Sequence, residues 1–211
     1  YFSDEEITAW LDSGLREGMQ VCVHAIGERA LGQALSALEA LAPGYDLHER
    51  RPRVDHFVMG TPELAQRAAN CGAVSAMQPP FDAMWGGADG GYAARLGPER
   101  ALRTNPVGQM ISGGLMVAGS SDSYITPLDP LFGIRAALEH HNPAQRVDFD
   151  TAVRLFSEQG AALAHQEGTR GRIAPGCQAD FTVVAGDRSL EGARVELTVK
   201  CGVVVHGEPQ S

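Results

Sequence analysis

The stretch Gln20-Val21-Cys22-Val23-His24-Ala25-Ile26-Gly27-Glu28-Arg29-Ala30 decides how the rest of the chain is read. Met19 to Val23 is short, apolar and partly β-branched, which suits a buried strand ending at His24. Gly27 and Glu28 then turn the chain. Beyond them Ala30, Leu31, Ala34, Leu35, Leu38 and Leu41 recur at helical spacing, and Pro43-Gly44 stops the run. The stretch is therefore one βα unit, with a histidine where strand gives way to loop.

The unit repeats outward from there. Upstream, Ser3 and Glu6 form a capping-box pattern ahead of Ile7, Trp10, Leu11 and Leu15, and Gly18 ends that helix. Downstream, Arg53 to Val58 reads as a strand, and Thr61-Pro62-Glu63 opens a helix running to about Cys71-Gly72. Ala73 to Met77 is a third strand. Pro79 to Gly91, containing Trp85, Gly86 and Gly87, is expected as a long loop of functional or mobile character. Arg100 to Gly113 is partly helical, and Leu115 to Gly119 is a fourth strand leading into Ser120-Ser121-Asp122. Helices are expected over Pro130 to His141 and from an Asp150 cap to about Ala164. Such alternation gives parallel strands joined by right-handed crossovers. Four units fit a doubly wound sheet or half of a (β/α)8 barrel, since a full barrel takes about 250 residues.

The pattern changes after Gly168. Residues 171–176 are turn-rich, and Ala179 to Ala185 and Arg194 to His206 alternate Val, Leu and Thr with polar residues. These read as two or three antiparallel strands. Residues 1–167 thus form one unit and 168–211 a second, too short to stand alone as a β domain.

Composition narrows the function. With 44% apolar and 20% charged residues the chain can build a core, and its net charge of -9 argues against a nucleic-acid surface. No apolar run approaches the roughly 18 residues needed to cross a bilayer. Cys22, Cys71, Cys177 and Cys201 form no CxxC and are expected as buried, reduced thiols of a cytoplasmic protein. Lys200 is the only lysine among 17 basic residues, so lysine chemistry is excluded from most of the chain. The chain opens at Tyr1 without an initiator Met, as expected of a cut or processed product.

His24, His56 and Asp122 share one address, the C-terminal end of a parallel strand, where barrel enzymes place their chemistry. Two imidazoles and a carboxylate are also a usual ligand set for zinc and similar divalent ions, which acidify a bound water. Each residue has a plainer reading. A histidine there can be a hydrogen-bonded core residue, and Asp122 can cap a helix or close an Asx-turn. Gln78, Trp85 and Tyr124 lie on loops that would ring the same mouth, where they would contact substrate or pack the loops themselves. His140-His141 falls at a helix C-terminus, where histidine complements the dipole. His48, His165 and His206 read as surface residues.

Five motifs in order resemble amidohydrolase family 3, the YtcJ-like amidohydrolases, which include N-substituted formamide deformylase. His24-Ala25-Ile26-Gly27-Glu28-Arg29-Ala30 resembles the HAIGDRA motif of the fifth barrel strand, with Glu28 in place of Asp. Arg53-Val54-Asp55-His56 resembles the R-I-E-H of the sixth strand, and Ser75-Ala76-Met77-Gln78-Pro79 the S-x-Q-P of the seventh. Gly119-Ser120-Ser121-Asp122-Ser123, followed by Asp129-Pro130-Leu131, resembles the eighth-strand motif and its follow-up. Gly171-Arg172-Ile173-Ala174-Pro175-Gly176 with Ala179-Asp180-Phe181 resembles the signature of the flanking β-sandwich. The resemblance implies an α/β chain carrying strands 5 to 8, the C-terminal half, of a metal-dependent-hydrolase (β/α)8 TIM barrel, plus the C-terminal part of a small β-sandwich. It implies His24, His56 and Asp122 as metal ligands for one or two divalent ions, zinc foremost, with Asp122 also carrying the proton. The implied function of the parent is hydrolysis of carbon–nitrogen bonds in small amides or formamides. A cyclic amidase or deaminase on the same scaffold is the rival within enzymes, and a non-catalytic binding module the rival outside them. The first-strand H-x-H and the bridging ligand of the family are absent, so the chain alone is expected to be inactive. It is expected to pair with the missing half or with another copy of itself.

Overall fold

The computed structural model describes residues 2–208, so Tyr1 and the last three residues of the 168–211 unit lie outside the described residues. The first unit runs α1 (Asp4–Arg16), β1 (Cys22–Ala25), α2 (Glu28–Leu41), α3 (Leu47–Arg50), β2 (Arg53–His56), α4 (Pro62–Asn70), β3 (Val74–Met77) and α5 (Pro79–Trp85). It continues with α6 (Gly91–Leu96), α7 (Pro98–Ala101), α8 (Val107–Ser112), β4 (Met116–Gly119), α9 (Pro130–Glu139), α10 (Phe149–Leu155) and α11 (Glu158–Leu163). The second unit is β5 (Phe181–Ala185), β6 (Arg194–Lys200) and β7 (Val203–His206). The molecule is α/β: β1-β2-β3-β4 form a parallel sheet in sequence order, and β5-β6-β7 an antiparallel one.

Local signals explain most boundaries. The Ser3 hydroxyl and Glu6 carboxylate satisfy each other's backbone N–H groups at the start of α1. The Thr61 hydroxyl accepts from Leu64 N–H ahead of Pro62. Leu31, Ala34, Leu35 and Leu38 of α2 are buried with Val54, Phe57, Leu64, Ala68 and Met110 in one core, the face that helical spacing selects. Leu190 and the half-buried Ala193, from the connection between β5 and β6, join that core with Val184 of β5. On the other face of the parallel sheet, β1 and β2 present Cys22, His24, Arg53 and Asp55, two residues apart and in register. The C-terminus of α11 crosses the start of that sheet, where Gln20 Nε2 donates to Leu163 O and Arg51 to Ala162 O.

Several expectations are corrected. The first strand runs from Cys22 to Ala25 rather than from Met19 to His24, and only Ala25 of it is buried. Pro79 to Gly91 is not a loop throughout: Pro79 and Pro80 occupy the first turn of α5, with Phe81 and Asp82 buried beneath it. The last helix is capped by Asp148, not Asp150, and breaks in two at Phe156-Ser157, where Ser157 leaves helical geometry. Of the four cysteines only Cys71 is buried, and all four are unbridged. No helix is long and apolar enough to cross a membrane among the described residues.

Candidate metal centre

The C-terminal ends of the parallel strands gather the three residues singled out by sequence, to different degrees. His24 and His56, on adjacent strands, hold their rings edge to face with centroids 4.2 Å apart. His56 is buried, whereas His24 is exposed, and neither His24 ring nitrogen bonds to protein among the described residues. Burial and the neighbouring His24 lower the His56 pKa, which keeps its imidazole neutral and able to donate a lone pair. The charge of Asp122 acts on the same ring in the opposite sense.

His56 is held in one tautomer. Its Nδ1 lies 2.9 Å from Gln78 Oε1, and Gln78 Nε2 in turn donates to Ala76 O at 3.0 Å. The amide orientation makes Gln78 the acceptor, so Nδ1 carries the proton and Nε2 keeps a free lone pair. Both ends of Gln78 are thereby committed to the protein. Phe81 stacks on the other side of His56 at 6.1 Å, and Trp85 packs edge-on against Phe81 at 5.1 Å. Tyr124 is 92% exposed.

Backbone strain marks the same residues. His56, Phe57 and Asp122 have φ of 78°, 51° and 50°, a region costing roughly 1–3 kcal/mol for such residues. The turn at Asp122 is closed by serines: Ser120 Oγ accepts from Asp122 N–H and Ser121 Oγ from Ser123 N–H. Asp122 is therefore no cap, and its carboxylate has no protein hydrogen bond among the described residues.

Asp55 is a residue whose part the sequence reading missed. β2 and β3 pair only at Arg53 and Val74, after which the Asp55 carboxylate replaces the ladder and accepts from Ala76 N–H at 2.9 Å. The same carboxylate accepts from Arg53 Nη2 at 2.6 Å and from the Cys22 thiol at 3.2 Å. Partial desolvation of its sulfur first, then Asp55, pushes the Cys22 thiol up to about 11. Its spacing from His56 gave no such signal, because a charged residue inside a strand reads equally as a solvated face. His140 and His141 also depart from expectation: His140 is buried and bonds to Asn105 O, and His141 bonds to Asp82. A small cleft of about 80 Å³ has Glu28, Thr61, Arg100 and Arg103 in its wall and takes in none of His24, His56 or Asp122.

The donor set fits a divalent ion in part. Two imidazoles in mutual reach and an unpaired carboxylate suit zinc-like chemistry. Among the described residues, no three His, Cys, Asp or Glu side chains come close enough to enclose an ion.

The sequence pattern of the amidohydrolase family matches residues 1–206. The chain belongs to the amidohydrolase family. YtcJ of Bacillus subtilis (strain 168), named as an amidohydrolase, is 32% identical over 219 residues, covering 97% of this chain and 40% of YtcJ. LONG AFTER FAR-RED 3 of Arabidopsis thaliana is 28% identical over 86% of this chain and 32% of its own length. This amidohydrolase chain therefore spans well under half of the curated relatives it matches. Among solved structures, an uncharacterized metal-dependent hydrolase from Pyrococcus furiosus superposes with TM-score 0.72 at 27% identity, over 84% of this chain and 36% of that one. One from Pyrococcus horikoshii OT3 reaches TM-score 0.75 at 22% identity, over 97% and 40%, a likeness of fold.

Proposed function

We propose that this chain is the C-terminal half of a metal-dependent amidohydrolase that cleaves carbon–nitrogen bonds in small amides or formamides. One observation carries the reading: the His24 and His56 rings meet at the C-terminal ends of adjacent parallel strands, with His56 Nε2 left free by the Gln78 bond. The four parallel strands supply barrel strands 5 to 8, and β5 to β7 supply part of the flanking sandwich. The relatives' greater length leaves room for the remaining strands and ligands elsewhere in the polypeptide. The unbridged cysteines suit a cytoplasmic protein.

His24 and His56 would hold a divalent ion, zinc foremost, with Asp122 beside them. When bound, the ion supplies Lewis acidity and an acidified water. The chain's own residues do the rest. Gln78 keeps the His56 proton on Nδ1, so the ring presents a lone pair. Asp122, with no protein partner for its carboxylate among the described residues and placed just past the C-terminal end of β4, would accept a proton from the attacking water and return it to the leaving nitrogen. The strained turns at His56 and Asp122 hold the two groups in place before substrate arrives.

The test is turnover of N-formyl and N-acyl amines by the polypeptide that carries this chain, before and after chelation and metal restoration. Chelation should abolish turnover and zinc restore it. Asp122→Asn should lower kcat by about 10²–10⁴-fold, the usual worth of a positioned acid–base group. Turnover indifferent to chelator would overturn the proposal. Release of ammonia from a heterocycle, with no action on linear amides, would favour a deaminase instead.

A further inference from the structure

The Gly-rich stretch after β3 contains a buried polar cluster that the proposed chemistry does not use. Asp82 sits on the buried side of α5, with its side chain only 3% exposed. Its Oδ2 accepts from His141 N–H at 2.9 Å and from His141 Nδ1 at 3.0 Å, and its Oδ1 lies 3.3 Å from His140 Nε2. The tautomers follow from the remaining partners. His140 Nδ1 accepts from Asn142 N–H at 3.0 Å, so its proton is on Nε2, which donates to Asn105 O at 3.0 Å. One buried carboxylate oxygen thus receives two N–H groups from His141, while the His140 ring lies 3.3 Å from the other oxygen. A buried charge is tolerated only with such compensation.

Two glycines make the arrangement possible. A Cβ on Gly86 would collide with the Asp82 carboxylate, and one on Gly87 would lie 2.8 Å from His141 Cδ2. Gly87 also has φ of 81°, which a side chain would strain. The glycines that look like a mobile loop in the sequence are places where backbone closes over this cluster.

The cluster fastens the helix that holds His56. Gln78 immediately precedes α5 and binds His56 Nδ1; Phe81, next to Asp82, stacks on the His56 ring. A rigid α5 fixes both contacts together, and a loosened α5 releases both. We propose that Asp82, gripped by His141, is a positioning residue for His56: it locks α5 so that Gln78 and Phe81 hold the ring with Nδ1 engaged and Nε2 free. The inference concerns the orientation of one imidazole and needs no metal, so it stands or falls apart from the proposed hydrolysis.

The experiment reads that imidazole directly. The chain is labelled with ¹⁵N-histidine, and the His56 tautomer is followed by two-bond proton–nitrogen correlation at neutral pH, without added metal. Wild type should hold the Nδ1–H form in roughly tenfold excess or more, the worth of one well-made buried hydrogen bond. Asp82→Ala and His141→Ala should each bring the two tautomers to within about threefold of one another. Asp82→Asn, which keeps an acceptor for the His141 N–H, should restore part of the excess. Arg67→Ala serves as the control, because it removes the Glu39 and Ser36 contacts between α2 and α4, away from α5. It should lower the urea midpoint and leave the His56 ratio unchanged. Should Asp82→Ala fail to fold, His141→Ala and Asp82→Asn still decide the matter. An unmoved His56 ratio in folded Asp82 or His141 variants, or an equal shift in Arg67→Ala, would overturn the inference.

Discussion

Replacing Asp55 tests whether a side chain can stand in for a missing ladder bond between β2 and β3. Its carboxylate accepts from the buried Ala76 N–H at 2.9 Å and from the Arg53 guanidinium at 2.6 Å, whose side chain is 30% exposed. Asp55→Ala orphans the N–H, which costs about 1–3 kcal/mol. It also strips the half-buried Arg53 of its counter-charge, worth about 1 kcal/mol after discounting for solvent. The sum is about 3 kcal/mol. Asp55→Asn keeps an acceptor for Ala76 and loses only the charge, so it should cost about 1 kcal/mol. With a urea m-value of about 2–3 kcal/mol/M, the Ala variant should lower the midpoint by about 1 M and the Asn variant by about a third of that. Equal shifts for the two variants would refute the reasoning, because the bond to Ala76 would then carry none of the cost.

Leu38→Ala empties a fully buried site in the α2 core and should cost about 3 kcal/mol by urea denaturation; a loss below about 1 kcal/mol would mean that the site collapses freely. Glu167, hydrogen-bonded to Arg51 at 2.5 Å, has its pKa pulled down to about 2. A depressed carboxylate stabilises above its unfolded value of about 4.3 and loses that contribution as pH falls toward 2. Since Glu167 is 45% exposed, the gap between wild type and Glu167→Gln should be under about 1 kcal/mol at pH 7 and close by about pH 2; a gap that persists there would contradict the assignment. Among the described residues the sheet ends at β1 and β4 without further neighbours, so the chain should self-associate in sedimentation velocity or capture a complementing segment; a monomer at every concentration, indifferent to such a segment, would argue against open edges.

Much of this molecule was legible in its sequence, because parallel strands and their covering helices write two periods into the chain. Leu31, Ala34, Leu35 and Leu38 fell on the buried face of α2, and Ser3 and Thr61 capped as their types suggest. The strands that carry His24 and His56 were legible for the same reason, although β2 stops at His56 rather than running on to Val58. What stayed hidden depends on contacts distant in sequence. Asp55 reaches Ala76 and Asp82 reaches His141, and no local pattern announces either. The Pro79-Pro80 helix was hidden by composition, because the glycines that follow it signal loop, although they serve close packing.

Metal content tests the central claim most directly. The polypeptide carrying this chain, over the length its relatives span, is purified without added metal and assayed by elemental analysis, alongside His24→Ala and His56→Ala. The account predicts one or two divalent ions per wild-type polypeptide and the loss of at least one in each variant with the fold intact. A wild type that hydrolyses amides without metal, or folded histidine variants that keep the full complement, would contradict it.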